Sequence, residues 1–273
     1  MDLRRRSADP DRRGPEVPHR YPQARRQRVP HPQPQPRRTG RSAAGARRRS
    51  DPAQGATVSE GASNAGARRR VLLVGASGVI GRAVAAALAE RHEVIAAGRN
   101  SGALRIDLSD PASIEAALDQ AGPLDAVVCA AGNVAFMPLS QIAPATIEAS
   151  PFGIGLRDKL MGQVNLALAA QTRLRDGGSI TLVTGVLSEH PIASGACASL
   201  VNGALEAFVR AAAIELPRGL RINAVNPTVI EEAMPDYAPY FRGFEPVSAA
   251  RTALAFVRSV EGLQTGQVYR AGW

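Results

Sequence analysis

The chain is poor in cysteine, lysine and aromatic residues. Its few cysteines, together with the absence of long apolar runs and of metal-ligand spacing, exclude several classes of protein. Two cysteines among 273 residues are too few for a disulfide-stabilised secreted scaffold, so we expect a reducing, cytoplasmic setting. No uninterrupted apolar run reaches the roughly 18 residues of a membrane span, and no membrane partner is expected. Histidine, cysteine and acidic residues show no metal-ligand spacing, so no metal is predicted.

Positive charge is concentrated at the start of the chain. Residues 1–70 contain 18 arginines, no lysine and 6 acidic residues, a net charge of +12, whereas residues 71–273 carry −3. The first segment is also rich in proline, glycine and serine, and such a composition cannot bury enough apolar surface to offset chain entropy. We predict a disordered Arg/Pro-rich tail over residues 1–68 and one folded domain over 69–273. Because the domain has no basic excess, nucleic acid is not expected as a partner.

The most informative stretch is VLLVGASGVIG, residues 71–81. Its first four residues suit a buried parallel strand, and a helix rich in alanine and valine is predicted over 82–91. A strand, a glycine turn and a helix in this order present free backbone N–H groups to a pyrophosphate. We expect Gly75 to permit the tight turn, Gly78 to let phosphates approach the backbone, and Gly81 to let the helix pack closely on the strand.

Strand-like and helix-like segments alternate along the rest of the domain. This order implies right-handed βαβ crossovers and a parallel sheet covered on both faces. The predicted fold class is α/β, a single doubly wound Rossmann-type domain with a seven-stranded parallel sheet. Only residues 98–103 separate the second and third strands, so either that crossover is abbreviated or the third strand is misplaced. The predicted strands are 71–74, 93–97, 104–106, 125–129, 179–183, 220–225 and 267–270, and the predicted helices are 82–91, 111–120, 156–174, 196–216 and 246–260.

Several motifs in this order resemble those of the short-chain dehydrogenase/reductase family over residues 71–273. GASGVIG resembles the family's cofactor loop, and CAAG (129–132) resembles its Asn-Asn-Ala-Gly stretch with the asparagines replaced. RIDLSD resembles the segment that contacts adenine, and RINAVNP resembles the sixth strand. The resemblance implies a nicotinamide dinucleotide cofactor and a small-molecule carbonyl or alcohol substrate. The residues expected to bind the cofactor are Gly75, Ser77, Gly78, Ile80, Gly81, Arg99, Asp107, Leu108, Ala131, Gly132 and Pro227.

The predicted cofactor is NADP(H) rather than NAD(H). An acid at the end of the second strand would accept a hydrogen bond from a ribose 2′-OH and repel a 2′-phosphate. This chain has Arg99 there, in AAGRNSG, and a guanidinium binds phosphate through two parallel hydrogen bonds. Ser101 and Ser77 are expected to assist. The alternative interpretation is a solvated loop arginine with no role in cofactor choice.

The family's usual catalytic residues are absent from the positions where the resemblance places them. In the family a tyrosine donates the proton, a lysine four residues later supports it, a serine precedes it and an asparagine on the previous helix completes a relay. Here an alanine stands at the tyrosine position, and its methyl group has no proton to transfer. The matching positions hold, in that order, Ala198, Asn202, Thr184 or Gly185, and Lys159 or, with a shifted alignment, Asn165.

Lys159, Thr184, His190 and Asn202 are therefore the candidates for a non-standard active site. Lys159 is the only lysine of the chain and would open the helix beside the nicotinamide pocket, where desolvation could make it a proton donor. The favoured interpretation is a solvated lysine or a ribose contact, since charged helix residues usually face water. His190 titrates in a useful pH range, while Thr184 could orient a carbonyl and Asn202 could bind a ribose hydroxyl.

Two functions remain open at this point. One is an NADP(H)-dependent reductase with a non-standard proton donor, and the other is a catalytically silent dinucleotide-binding module that regulates a partner. The apolar helix 196–216 is expected to be buried on more than one side. In the family it pairs with helix 156–174 across a two-fold axis, which implies a homodimer or homotetramer. Tyr237, Tyr240 and Phe241 suit either an apolar pocket wall or the core.

Overall fold

The structure, a computed structural model, describes residues 68–273, so the predicted tail lies outside the described residues except for its last residue. The described chain forms one sheet of seven parallel strands in the order β3-β2-β1-β4-β5-β6-β7. This is the predicted doubly wound Rossmann-type fold. Its strand order reverses between β1 and β4, the point at which such sheets bind ligands. The strands are β1 Arg70–Val74, β2 Glu93–Gly98, β3 Leu104–Arg105, β4 Leu124–Cys129, β5 Leu174–Val183, β6 Arg221–Pro227 and β7 Val268–Ala271.

Helices cover both faces of the sheet, which is why the central strands are apolar along nearly their whole length. The helices are α1 Val79–Ala89, α2 Pro111–Ala121, α3 Pro151–Gly155, α4 Gly162–Ala170, α5 Ala196–Glu215, α6 Met234–Tyr237 and α7 Ala249–Glu261. Alternate residues of β1 point to opposite faces. Leu72 packs in one core with side chains of α2, α4 and α5, and Leu73 packs in the other with α1 and α7.

The short link between the second and third strands is an abbreviated crossover. Gly102 adopts φ +94°, a conformation that glycine reaches without a Cβ clash. The turn allows Ala103 N–H to donate to the Ala96 carbonyl at 2.8 Å, and β3 then pairs with β2 in parallel. The third strand was therefore correctly placed, and the crossover contains no helix.

Four predicted elements have boundaries that differ from the structure by three residues or more. Helix α1 begins at Val79 rather than Arg82, and α7 begins at Ala249 rather than at residue 246. The helix predicted over 156–174 instead begins with α3, continues through a π-helical segment at Leu156–Met161 and ends with α4 at Ala170. Strand β5 begins at Leu174 rather than Ser179, because Leu174 is buried and pairs with Leu124 of β4. Its apolar character suited either element, and pairing with β4 decided between them.

Helix α5 has one buried side and one exposed apolar side in the single chain. Val201 and Leu205 pack in the core, whereas Leu200 and Ile214 are 46% and 87% exposed. It is the one helix of the described part long and apolar enough to cross a membrane, a test that core helices also pass. A second chain would have to cover this exposed apolar side, so burial on more than one side and the homodimer or homotetramer both stay predictions.

Candidate functional site

The glycine loop at the end of β1 is a tight turn with no room for a side chain at Gly75 or at Gly81. Gly75 adopts φ +84°, and a Cβ there would come within 2.7 Å of the Ala131 Cβ. Its N–H donates to the Ala97 carbonyl at 2.8 Å, which ties the loop to β2. A Cβ on Gly81 would overlap the Gly75 carbonyl oxygen. The loop and the first turn of α1 therefore pack backbone against backbone, as the spacing of the glycines predicted.

The N-terminus of α1 has the properties of an anion-binding site. Gly78 caps the helix without a side-chain hydrogen bond, and the first turn contains no acidic residue. The first bond within the helix runs from Arg82 N–H to the Gly78 carbonyl at 2.9 Å, so the preceding N–H groups have no acceptor in the helix. Free N–H groups and the positive end of the helix dipole favour a phosphate. The loop thus fits the pyrophosphate of a dinucleotide.

An open groove of about 330 Å³ runs along this loop. Four residues of the predicted cofactor set do not line it, and they are Ile80, Gly81, Asp107 and Pro227. The other seven do, and they are Gly75, Ser77, Gly78, Arg99, Leu108, Ala131 and Gly132. Gly81 and Pro227 are buried, and Gly81 packs against the backbone of Gly75, which lines the groove. The structure therefore brings most of the predicted set together in one groove, and its binding of a cofactor stays a prediction.

The carboxylate of Asp107 is held within its own loop. It accepts hydrogen bonds from Ser109 N–H at 2.9 Å and from Ser109 Oγ at 2.7 Å. These bonds favour the charged form and lower the pKa of Asp107, with a smaller contribution from Arg99. Leu108, the next residue, lines the groove. Of the two residues predicted to contact adenine, only Leu108 lines the groove, and the contact itself stays a prediction.

Arg99 lies at the rim of the groove between two carboxylates. Its Nε is 3.4 Å from Asp107 Oδ2, and its Nη2 is 3.4 Å from Asp158 Oδ2. Asp158 also accepts a hydrogen bond from Asn133 Nδ2 at 2.6 Å. Asp158 and Asn133 both line the groove, and sequence reasoning missed them. Neither belongs to a motif, so only the fold brings them beside Arg99.

Lys159 is buried, with 8% of its surface exposed, and the expected solvated lysine at a helix start was wrong. It lies in the π-helical segment at Leu156–Met161, inside a continuous helical run. Gly132 makes room for it, because a Cβ at Gly132 would come within 2.6 Å of Lys159 Cγ. Such π-helical turns occur frequently at functional sites.

The ammonium group of Lys159 has two acceptors. Its Nζ donates to Asn202 Oδ1 at 2.8 Å and to the Thr184 carbonyl oxygen at 3.2 Å. Burial disfavours the charged form and lowers the pKa of Lys159 to about 8. The side chain can therefore gain or release a proton near neutral pH. Three of the four catalytic candidates meet at this point, because Lys159, Thr184 and Asn202 are in contact.

The hydroxyl of Thr184 points to a buried carboxylate that the sequence analysis missed. Thr184 Oγ1 donates to Glu206 Oε1 at 3.0 Å, and the same oxygen accepts from Ser188 Oγ and from Asn226 Nδ2, each at 2.8 Å. Three donors on one oxygen stabilise a carboxylate that is only 4% exposed. In the sequence, the only indication of this buried carboxylate was that the inner face of the apolar helix α5 contains a single acid.

Ala198, which the resemblance places at the position of the family tyrosine, lies in an apolar cluster. It is 2% exposed and packs with Val186, Leu187, Val229 and Phe241.

His190 lies apart from the other three catalytic candidates. Its ring is exposed and packs edge-to-face on Trp273, with 5.1 Å between the centroids. Of the aromatic residues considered for a pocket wall, Phe241 is 7% exposed, whereas Tyr237 and Tyr240 are 37% and 54% exposed. Within residues 68–273, no group of three histidine, cysteine or acidic residues could hold a metal ion.

The fold and the groove together define a class of protein. A doubly wound parallel sheet with a glycine loop and an uncapped helix at its switch point is the architecture of a dinucleotide-binding α/β protein. Residues 61–265 match the family model described as enoyl-(acyl carrier protein) reductase. The chain belongs to the short-chain dehydrogenase/reductase family, as its motifs predicted.

Named relatives and solved structures agree with this assignment. The chain is 31% identical over 184 residues to L-xylulose reductase of Mesocricetus auratus, a match that covers 62% of this chain and 74% of the relative. It is 31% identical over 182 residues to carbonyl reductase (NADPH) 2 of Sus scrofa, with 60% and 73% covered.

Two solved structures resemble the described fold. The protein lin1944 from Listeria innocua superposes with a TM-score of 0.70 at 46% identity, covering 73% of this chain and 98% of that one. A small-chain dehydrogenase in complex with NADPH superposes with a TM-score of 0.66 at 25% identity, covering 75% and 97%.

Proposed function

We propose that this protein is an NADP(H)-dependent oxidoreductase that reduces a small carbonyl compound or oxidises the corresponding alcohol, in the cytoplasm. The observation that carries the proposal is a glycine-lined groove with a free helix N-terminus, a guanidinium at its rim and a buried lysine beside it. The proposal is supported by relatives named as an L-xylulose reductase and an NADPH carbonyl reductase. A related structure in complex with NADPH adds further support.

Lys159 is the proposed proton donor of this non-standard site. When bound, the nicotinamide supplies or accepts the hydride, and the carbonyl oxygen then needs a proton. The pKa of about 8 keeps the Lys159 ammonium largely protonated at neutral pH while making it a stronger acid than an ordinary lysine. Asn202 and the Thr184 carbonyl oxygen hold Nζ in place, so they act as positioning groups.

The second candidate function is the catalytically silent module. It is favoured by the burial of Ala198 in an apolar cluster, where the family has its proton donor. Under this proposal the groove binds a dinucleotide and its occupancy controls association with a partner protein. The two functions differ in whether bound NADPH is ever consumed.

Substitution of Lys159 tests the catalytic proposal. We expect wild-type protein to oxidise NADPH with at least one member of a panel of small carbonyl compounds, measured by absorbance at 340 nm. Lys159→Met removes the proton donor and is expected to lower kcat by roughly 100-fold or more, the usual range for general acid catalysis. NADPH binding, measured by calorimetry, shows whether the variant is still folded.

His190→Gln separates the two titratable candidates. Because the His190 ring is exposed against Trp273, this variant is expected to turn over NADPH as the wild type does. A loss with His190→Gln alone would transfer the role to the histidine. NADPH that binds the wild type and is never consumed across the panel would instead favour the silent module.

Substitution of Arg99 tests the cofactor preference. Arg99→Gln removes a guanidinium that is about half exposed at the groove rim and would bind the 2′-phosphate. We expect the Kd for NADPH to rise roughly tenfold or more, since a charge-assisted bidentate contact is lost. The Kd for NADH, which has no 2′-phosphate, is expected to stay within about threefold. Equal weakening of both cofactors, measured by calorimetry, would contradict the preference for NADP(H).

A further inference from the structure

Asp158 is a carboxylate in the wall of the cofactor groove that belongs to no sequence motif. Its side chain is 13% exposed, and that of Arg99 is 52% exposed. Asp158 Oδ2 accepts a hydrogen bond from Asn133 Nδ2 at 2.6 Å, which is its shortest contact. The same oxygen lies 3.4 Å from Arg99 Nη2. The three residues come from the loops after β2 and β4 and from the π-helical segment at Leu156–Met161. Their contacts therefore join three separate segments around the groove.

The two acids beside Arg99 differ in what else holds them. Asp107 has its own partner in Ser109 and does not line the groove. Asp158 lines the groove together with Arg99. One guanidinium and two carboxylates give this corner a formal charge of −1 before any ligand arrives. A 2′-phosphate bound to Arg99 would add further negative charge next to Asp158.

We propose that Asp158 is a specificity-determining residue whose carboxylate competes with the 2′-phosphate of NADP(H) for Arg99. The inference rests on the proposed binding of NADP(H) at this groove. Like charges repel the phosphate from Asp158, whereas a ribose 2′-OH can donate a hydrogen bond to a carboxylate. Asp158 thus weakens the preference for NADP(H) that Arg99 confers, and the chain discriminates less sharply than its arginine alone would allow.

Calorimetric titration of the full chain with NADPH and with NADH tests this role. Asp158→Asn keeps the size of the side chain and removes its charge. We expect the Kd for NADPH to fall roughly tenfold, the effect of removing one like charge beside a partly solvated phosphate. The Kd for NADH is expected to stay the same or to rise. Adenosine 2′,5′-bisphosphate, which carries the 2′-phosphate without a nicotinamide, should follow NADPH.

Two further variants serve as controls. Asp119→Asn also removes an acid that pairs with an arginine, since Asp119 Oδ1 lies 2.9 Å from Arg173 Nη2, but it lies outside the groove. It should leave both Kd values unchanged. Asp158→Ser provides a second neutral side chain in case the asparagine disturbs folding, which thermal unfolding would reveal, and it should reproduce the gain.

The outcomes separate this inference from the proposed function. An unchanged ratio of the NADPH and NADH Kd values in both Asp158 variants, or an equal shift in Asp119→Asn, overturns the inference. In the double variant Arg99→Gln/Asp158→Asn the gain, measured relative to Arg99→Gln, should be smaller than in the wild-type background, because the competition for the guanidinium is gone and only the direct repulsion of the phosphate remains. If Arg99→Gln alone leaves NADPH binding unaltered, the proposed NADP(H) preference fails instead.

Discussion

Replacing Gly81 by alanine is expected to destabilise the domain by about 2–3 kcal/mol or more and to abolish dinucleotide binding. The added Cβ would overlap the Gly75 carbonyl oxygen and come within 2.8 Å of its carbonyl carbon and 2.9 Å of the Ala76 Cα. These are backbone atoms that cannot rotate away. Gly75 has a φ of +84° and lies against Ala131, so its backbone cannot shift to make room for the added methyl group. Urea unfolding followed by circular dichroism measures the loss.

Gly78→Ala is the matched control in the same loop. A Cβ at Gly78 would meet only the Gly75 carbonyl oxygen, at 3.4 Å, and φ is −70°, so stability should change by less than about 0.5 kcal/mol. NADPH affinity should still fall, by roughly tenfold, because a methyl group would stand where the phosphates approach the backbone. Equal unfolding free energies for the two variants would contradict the packing argument. Undiminished NADPH binding by Gly78→Ala would contradict the location of the phosphate site.

Replacing Lys159 by methionine is expected to change how stability depends on pH. The pKa of Lys159 is lowered by burial to about 8 from a usual 10.5. Between these values the folded chain has a neutral amine while the unfolded chain binds a proton, so the contribution of Lys159 to the free energy of unfolding rises with pH. Below pH 8 the folded chain contains a buried ammonium group, which lowers the free energy of unfolding. A pKa shift of this size raises the contribution of Lys159 to the free energy of unfolding by about 3 kcal/mol between pH 8 and pH 10.5.

The measurement is the difference in unfolding free energy between wild type and Lys159→Met at several pH values. The difference is needed because burial raises the pKa of Cys129 to about 12 and also raises that of Tyr269. Those groups lower stability as pH rises, which would mask the lysine in the wild type alone. From pH 8 to pH 10.5, we expect the unfolding free energy of the wild type to rise by about 3 kcal/mol relative to that of the variant. A difference that does not vary with pH would show that Lys159 is not desolvated.

The sheet and the cofactor loop could be predicted because local sequence carries their physical causes. Each strand is a short run of branched or apolar residues bounded by turn residues, and six of the seven were placed to within two residues at each end. The exception is the start of β5, which was placed five residues late because Leu174 is equally compatible with a helix. Two glycines of the loop could be interpreted because only glycine suits their positions. Gly75 has a positive φ, and the backbone at Gly81 is too close to Gly75 for a side chain.

The candidate site was only partly predictable. Lys159 was singled out as the sole lysine, but its burial was missed, since the π-helical segment and the space above Gly132 arise from packing between distant segments. Glu206 was missed because nothing near it in sequence identifies Thr184, Ser188 and Asn226 as its donors.

By itself, the sequence determined the class of this protein, its strand order along the chain and the position of the glycine turn after the first strand. These depend on contacts between residues close in the chain, which composition and spacing encode directly. Tertiary structure alone decided the electrostatics of the site, namely an ammonium enclosed against Asn202 and a guanidinium shared between two carboxylates. Charge interactions depend on distance and desolvation, and both are properties of segments that meet only after the sheet has formed.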